Sequence, residues 1–179
     1  LRQAREFVVD TETTSRDALR ADLVGISISL EPQHAFFISI NPAPKKQDTD
    51  LFGNPTSKAH ETTKSLDLET VVHRLKPFFE DPAKPKIGHN LKYDMLVLSQ
   101  HGIRLEGKLF DTMIASYIVR ADGRHDLDEV AREYLSYKKI SYEELTGTGK
   151  NQKALQDVPL EALSDYSCED ADITFRLYE

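Results

Sequence analysis

Four acidic side chains stand where the surrounding pattern is apolar. In FVVDTETTS, residues 7 to 15, an apolar strand runs into Asp10 and Glu12. Side chains of an extended chain alternate between faces, so Val8, Asp10 and Glu12 fall in one row. In NLKYDMLVLSQ, residues 90 to 100, helical spacing puts Leu91, Asp94, Met95 and Leu98 on one face, with Asp94 as its single charge. In PLEALSDYSCEDADITFRLYE, residues 159 to 179, the face made by Leu160, Leu163, Tyr166, Ile173 and Leu177 also carries Asp170, whereas Asp165, Glu169 and Asp172 fall elsewhere. An ionised carboxylate turned toward a core is costly unless it is paired or bound to metal. No comparable set of inward Lys or Arg is evident, and four unpartnered acids repel one another. Shared protons or divalent cations relieve that repulsion. All-oxygen ligands favour hard ions such as Mg²⁺ or Mn²⁺. Two such ions about 3.5–4 Å apart can stabilise the attacking and the leaving oxygen of a phosphoryl displacement. Taken singly, Asp10 and Glu12 also read as solvated acids at a strand end, and Tyr166 as a core tyrosine with a satisfied hydroxyl.

The elements that would position these acids follow from periodicity. Strands are expected at residues 6 to 10, 23 to 30 and 34 to 40, the last two joined by a short EPQ link that suggests an antiparallel meander. Residues 41 to 65 are polar and rich in turn formers, which marks a long surface loop. From Leu68 the period becomes helical through Phe79, and a short strand in KPKIG follows. Asn90 can cap a helix that runs through Gln100 and ends at His101-Gly102. Helices are expected again at 111 to 121, with Asp111 as a cap, at 126 to 136, and at 159 to 179, where Pro159 suits a first turn. Early strands, a later strand between helices and a helical second half make a layered α/β domain.

Composition bounds the possibilities. A chain of 179 residues, 39% hydrophobic, suits one compact domain. The opening residue is Leu and the chain stops inside a predicted helix, so it reads as a piece of something longer. No apolar run of about 18 residues and no secretory leader are present, so neither membrane insertion nor export is suggested and a cytoplasmic setting is expected. The single cysteine, Cys168, rules out an internal disulfide framework and a cysteine-based zinc site. A net charge of -7 argues against a broad basic surface for gripping duplex nucleic acid.

DTE at 10 to 12, NLKYD at 90 to 94 and YSCED at 166 to 170 resemble the three motifs of the DEDD-type 3'-5' exonucleases, in the branch with tyrosine in the third motif. VGISISLEP, IGHNLKYD, FDTMIASYI, GRHDLDEVA and GTGKNQ resemble the proofreading domains of the bacterial DNA polymerase I family, in order and over nearly the whole chain. The resemblance implies a ribonuclease H-like mixed sheet flanked by helices, in one exonuclease domain spanning residues 1 to 179 and attached to a polymerase domain of the same polypeptide. It also implies a monomer and a bacterial cytoplasmic location. By matching position, Asp10 would bridge two divalent ions, Glu12 and Asp170 would complete the tighter site, and Asp94 would serve the other. The ions would be Mg²⁺ or Mn²⁺, with Zn²⁺ compatible with one site. Tyr166 would orient the attacking water, and the single-stranded DNA 3' end would lie against Thr11, His89, Asn90, Tyr93, Arg124 and Tyr142. Tyr142 is the platform on which a terminal base would stack.

Two positions depart from the family pattern: Arg16 stands where relatives often place an apolar wedge, and His89 replaces a glutamine. His101 and His125 read as surface or hydrogen-bonding residues, with His125 also placed to line a substrate channel. Lys150 and Lys153 read either as phosphate contacts or as part of a solvated loop, since the full G-x-x-x-x-G-K-[ST] pattern is absent. Two other functions share much of this reading. An RNA-trimming exonuclease would use the same four acids, and a silent domain would keep the fold without the chemistry.

Overall fold

The computed structural model describes residues 1–41 and 65–179. The expected long loop at 41 to 65 lies almost wholly outside those residues, Asn41 and Ser65 excepted. The strands are β1 (Phe7–Thr13), β2 (Leu23–Glu31), β3 (His34–Asn41), β4 (Leu66–Asp67), β5 (Lys86–Gly88) and β6 (Leu109–Asp111). They form one mixed sheet in the order β4-β3-β2-β1-β5-β6. The first three make the expected antiparallel meander, and β5 and β6 extend it in parallel on the far side of β1. The helices are α1 (Leu68–Phe79), α2 (Leu91–Gln100), α3 (Thr112–Val119), α4 (Leu127–Leu135), α5 (Tyr142–Thr146) and α6 (Leu160–Tyr178).

Alternation along β1 divides the core into two layers. Phe7 and Val9 face a large cluster with Ile26 and Ile28 of β2, Leu75 and Phe79 of α1, and Leu91, Val97 and Leu98 of α2. Val8 faces the other way, against Ala171 and Phe175 of α6. The row Val8, Asp10, Glu12 therefore looks toward α6, as the two-residue period requires. On the neighbouring strand the residues paired with that row are Ser29, Ser27 and Gly25. A side chain at Gly25 would enter the Phe37 ring, its Cβ only 2.3 Å from ring carbons. Gly25 thus makes room for that ring, while Ser27 and Ser29 keep the positions opposite Asp10 and Val8 small.

Several expectations are corrected. β1 continues to Thr13, so the acids sit inside the strand, where they are held by sheet pairing on one side. Two short strands, β4 and β6, and the five-residue α5 escaped the periodicity because each is shorter than one clear repeat. Pro159 precedes the first turn of α6 and does not lie within it. Met95 is 38% exposed, and Val97 takes the buried place on α2 that spacing alone assigned to it. Inward lysines are present after all: the Lys86 and Lys139 side chains are buried. Lys86 Nζ donates to the carbonyls of Asp81 at 2.6 Å and Glu106 at 2.7 Å, tying the start of β5 to two loops.

The cap on α2 also differs. Asn90 adopts left-handed backbone (φ 65°) and gives no side-chain cap. Its role falls to Asp111, whose carboxylate accepts from the backbone N–H of Asn90 at 3.0 Å and of Leu91 at 2.8 Å. The same carboxylate caps α3, accepting from Met113 at 2.9 Å and Ile114 at 3.3 Å. One acid thus starts two helices. Since a lost cap costs about 1 kcal/mol per helix, Asp111→Ala should lower the unfolding free energy by about 2 kcal/mol in urea titration. A change below about 0.5 kcal/mol would show that water replaces the carboxylate at both helix starts.

Candidate active site

Sheet and helices bring the four acids together. Asp10 and Glu12 come from β1, Asp94 from the first turn of α2, and Asp170 from the middle of α6. Glu12 is 8%, Asp94 2% and Asp170 8% exposed, so three of the four are withdrawn from water. Their mutual reach shows in their ionisation. Burial, followed by the charge of Asp10, pushes the carboxyls of Glu12 and Asp94 well above the ordinary range. The charges of Asp170 and Asp94 push Glu12 further in the same direction. Burial raises Asp10 to about 6 and Asp170 to about 8, against an ordinary value of 3.8.

Each acid is steadied by its own neighbour. The Ser27 hydroxyl, across the β1–β2 ladder, donates to Asp10 at 3.4 Å. The fully buried Ser167 hydroxyl of α6 donates to Glu12 at 2.7 Å. Thr11 donates twice to Asp94, from its backbone N–H at 2.9 Å and its hydroxyl at 2.6 Å. That last pair joins the two layers, because Thr11 points to the α2 side while its neighbours Asp10 and Glu12 point to α6. Asp170 is the exception. Its Oδ1 lies 3.0 Å from Lys139 Nζ but accepts no well-directed hydrogen bond from the described residues.

Tyr166, one turn before Asp170, is buried and interacts with that carboxylate. Burial and the charges of Asp170, Glu12 and Asp10 drive its phenol far upward, so the hydroxyl keeps its proton. Lys139 Nζ lies 4.6 Å from the centre of its ring. Sequence reasoning missed Lys139 altogether. It sits in an irregular stretch between α4 and α5, YKKIS, where no period distinguishes the buried lysine from the exposed Lys138.

The residues expected to contact the strand have the following surroundings. Tyr93, half-buried, hydrogen-bonds Thr13 and donates to the Ser15 carbonyl, which anchors the turn after β1. Asn90 Oδ1 accepts from Lys92. His89 is tied to Thr112 and to the His125 carbonyl, both at 2.9 Å, and burial lowers its pKa. His125 is itself buried, with Nδ1 2.7 Å from the Ser116 hydroxyl. Arg124 is exposed and pairs with Asp126 at 2.8 Å. Tyr142, at the start of α5, packs beside Leu155, Val158 and Leu163. Arg16 is exposed. Lys150 and Lys153 are exposed as well, in the turn after α5.

Four oxygen-donor acids converging with one orphaned oxygen fit hard divalent cations by donor chemistry. Among the described residues, no three acidic, histidine or cysteine side chains stand in ready-made coordination about one point. Asp10, Glu12 and Asp94 are instead each turned to a donor of their own, in keeping with the mutual repulsion of unscreened like charges.

Comparison with known proteins follows the same lines. The family model described as 3'-5' exonuclease matches residues 1–179. The DNA polymerase I of Pseudomonas aeruginosa is 35% identical over all of this chain, which spans 18% of that protein. The DNA polymerase I of Chloroflexus aurantiacus is also 35% identical over all of the chain, which spans 17% of it. Among solved structures, Brucella melitensis NrnC superposes with a TM-score of 0.67 at 24% identity, covering 98% of this chain and 71% of that one. Escherichia coli RNase D, an exoribonuclease involved in structured RNA processing, gives a TM-score of 0.59 at 17% identity, covering 99% and 38%. These two structures show a shared ribonuclease H-like fold.

The raised carboxyls make stability depend on pH in a definite direction. The folded chain holds these protons more tightly than the unfolded chain, so their contribution is full below the unfolded value of 3.8 and is lost as pH rises through about 6 and then about 8. His89 and His101, whose pKa values burial lowers, contribute with the opposite sign up to their ordinary value of 6.5. Above about 6.5 the carboxyls therefore decide the sign. In chelator, the melting temperature should fall between about pH 6.5 and about pH 8.5. A flat or rising curve over that interval would contradict the burial of the acid set.

Proposed function

The chain belongs to the 3'-5' exonuclease family of DNA polymerase I, and from that premise we propose that it hydrolyses single-stranded or mispaired DNA from the 3' end in a metal-dependent reaction that serves polymerase proofreading. The observation that carries this reading is the convergence of Asp10, Glu12, Asp94 and Asp170 from three elements onto one buried place. Asp10, Glu12, Asp94 and Asp170 would hold two divalent ions, Mg²⁺ or Mn²⁺. When bound, such ions would supply an acidified water and charge stabilisation for the attacking and leaving oxygens of a phosphodiester, and the products would be nucleoside 5'-monophosphates.

The chain's own residues do the rest. A phenol that keeps its proton cannot serve as the base, so Tyr166 acts as a hydrogen-bonding group that fixes the water, its oxygen accepting and its proton directed to Asp170. Thr11 holds Asp94 from both backbone and side chain, which sets the angle at which that acid would meet a bound ion. Tyr142 offers an aromatic face for stacking, worth about 1–3 kcal/mol per base and indifferent to sequence. Asn90, Tyr93, His89 and Arg124 would line the path of the strand. The apolar residues Ile114, Tyr117, Ile118 and Val119 of α3 are more than half exposed. They supply a surface suited to contact with a polymerase domain of the same polypeptide.

RNase D acts on RNA, and an RNA-trimming role is the competing reading. The matched curated relatives are DNA polymerases, which favours DNA. Nucleotide release from a 3'-labelled single-stranded DNA with Mg²⁺ or Mn²⁺ tests both. Asp10→Ala and Asp170→Ala should each reduce the rate by more than about a hundredfold, the upper range seen for loss of a single outer-sphere partner at a metal. Single-stranded RNA should compete poorly. Release that survives both substitutions would sink the four-carboxylate mechanism, and preferential cleavage of RNA would sink the DNA assignment.

A further inference from the structure

Lys139 sits inside the acid cluster with its side chain only 2% exposed. Its ammonium has three partners. Nζ stands 3.0 Å from Asp170 Oδ1 and 3.0 Å from Asp128 Oδ1, and it donates to the Ile140 carbonyl at 2.7 Å. It also rests 4.6 Å from the centre of the Tyr166 ring, within cation–π range. Asp128 belongs to α4, and Asp170 and Tyr166 to α6, so one buried cation fastens the two helices together beside the acids.

A buried ammonium held between two carboxylates is a fixed charge, and its removal would leave Asp170 and Asp128 without the cation they share. Asp170 Oδ1 is the same oxygen that lacks a well-directed hydrogen bond from the described residues. A divalent ion bound to that oxygen would have to sit close to the ammonium, and like charges at such a distance oppose each other.

We propose that Lys139 is a built-in counter-ion that shares Asp170 with the metal. It holds Asp170 and Tyr166 in place before any ion arrives, and it weakens the hold of that position on the ion. Lys139 is thus a positioning residue that acts through Asp170. This inference rests on the metal-binding reading above, but half of it concerns the metal-free chain and can fail separately.

The test uses the whole chain, with Mn²⁺ alone as the probe, and reads binding by calorimetry and melting temperature in chelator. Lys139→Met removes the charge while keeping a long side chain. It should bind Mn²⁺ about tenfold more tightly, a change of the size usual for coupling free energies in proteins. Without metal its melting temperature should fall, and Mn²⁺ should raise it by more than in the wild type. Lys139→Arg, which restores a cation, should move both readouts back toward the wild type. Unchanged or weaker Mn²⁺ binding by Lys139→Met overturns the sharing of Asp170. Failure of both wild type and Lys139→Met to bind Mn²⁺ overturns the sharing together with the metal reading beneath it.

Should Lys139→Met fail to fold, two neutralised acids decide the matter in the wild-type lysine background. Asp94→Asn relieves repulsion while keeping one oxygen to accept both hydrogen bonds from Thr11, and it should raise the metal-free melting temperature. Asp170→Asn also dissolves the ion pair and should leave that temperature level or lower it. Equal rises in both would overturn the counter-ion.

Discussion

Burial of like charge is the constraint on which this domain is built. Four carboxylates occupy one end of β1, where desolvation and mutual repulsion both favour their neutral forms. The fold gives each acid a neighbour: Ser27 donates to Asp10, Ser167 to Glu12 and Thr11 to Asp94, while the Lys139 ammonium stands beside Asp170 as an ion-pair partner. The three donors are neutral, so they orient their carboxylates without cancelling the charge. The site therefore remains acidic while its geometry is held. Ser27 belongs to the same solution, because it stands opposite Asp10 on β2 and is fully buried, so a larger residue there would press on the acid row.

Control over the site extends well beyond the acids. Asp94 is fixed by the start of α2, and that start is fixed by Asp111 from β6 at the sheet edge. β6 is held by its pairing with β5. β5 is anchored in turn by the buried Lys86, which reaches the carbonyls of Asp81 and Glu106. A chain of backbone contacts thus leads from a lysine remote from the acids to the angle of one carboxylate. Lys86 carries charge into the interior and Asp111 holds it half-buried at the sheet edge, yet each directs it to backbone groups that would otherwise lack partners.

The sequence disclosed the parts that repeat. The alternation of β1, the faces of α1 and α6 and the placement of all four acids followed from periods of two and of three to four, and those periods survive in the fold. What stayed hidden lacked a period. β4, β6 and α5 are too short to display one. Lys139 and Lys138 are chemically identical in YKKIS, and only the path of an irregular segment decides which is buried. Asn90 resembles a helix cap by type and position, but its left-handed backbone turns the side chain away, and an acid twenty-one residues later takes the role. The serines that hold Asp10 and Glu12 lay in plain view, yet only cross-strand register and the packing of α6 identify them as partners.

On the proposed reading, the same electrostatics select which part of a nucleic acid reaches the site. A chain of net charge -7 with an acidic centre gains little from counterion release along a duplex, the interaction that drives most nonspecific binding. Phosphates near the centre are repelled unless added positive charge offsets the carboxylates, since Lys139 is already committed to Asp170 and Asp128. Aromatic stacking does not depend on charge, and bases can use it only when they are unpaired. An end that has lost its partner strand offers its base faces to Tyr142 and its neighbours, whereas a paired end offers mainly phosphates to an acidic surface. Preference for frayed 3' ends then follows from what this surface lacks as much as from what it contains.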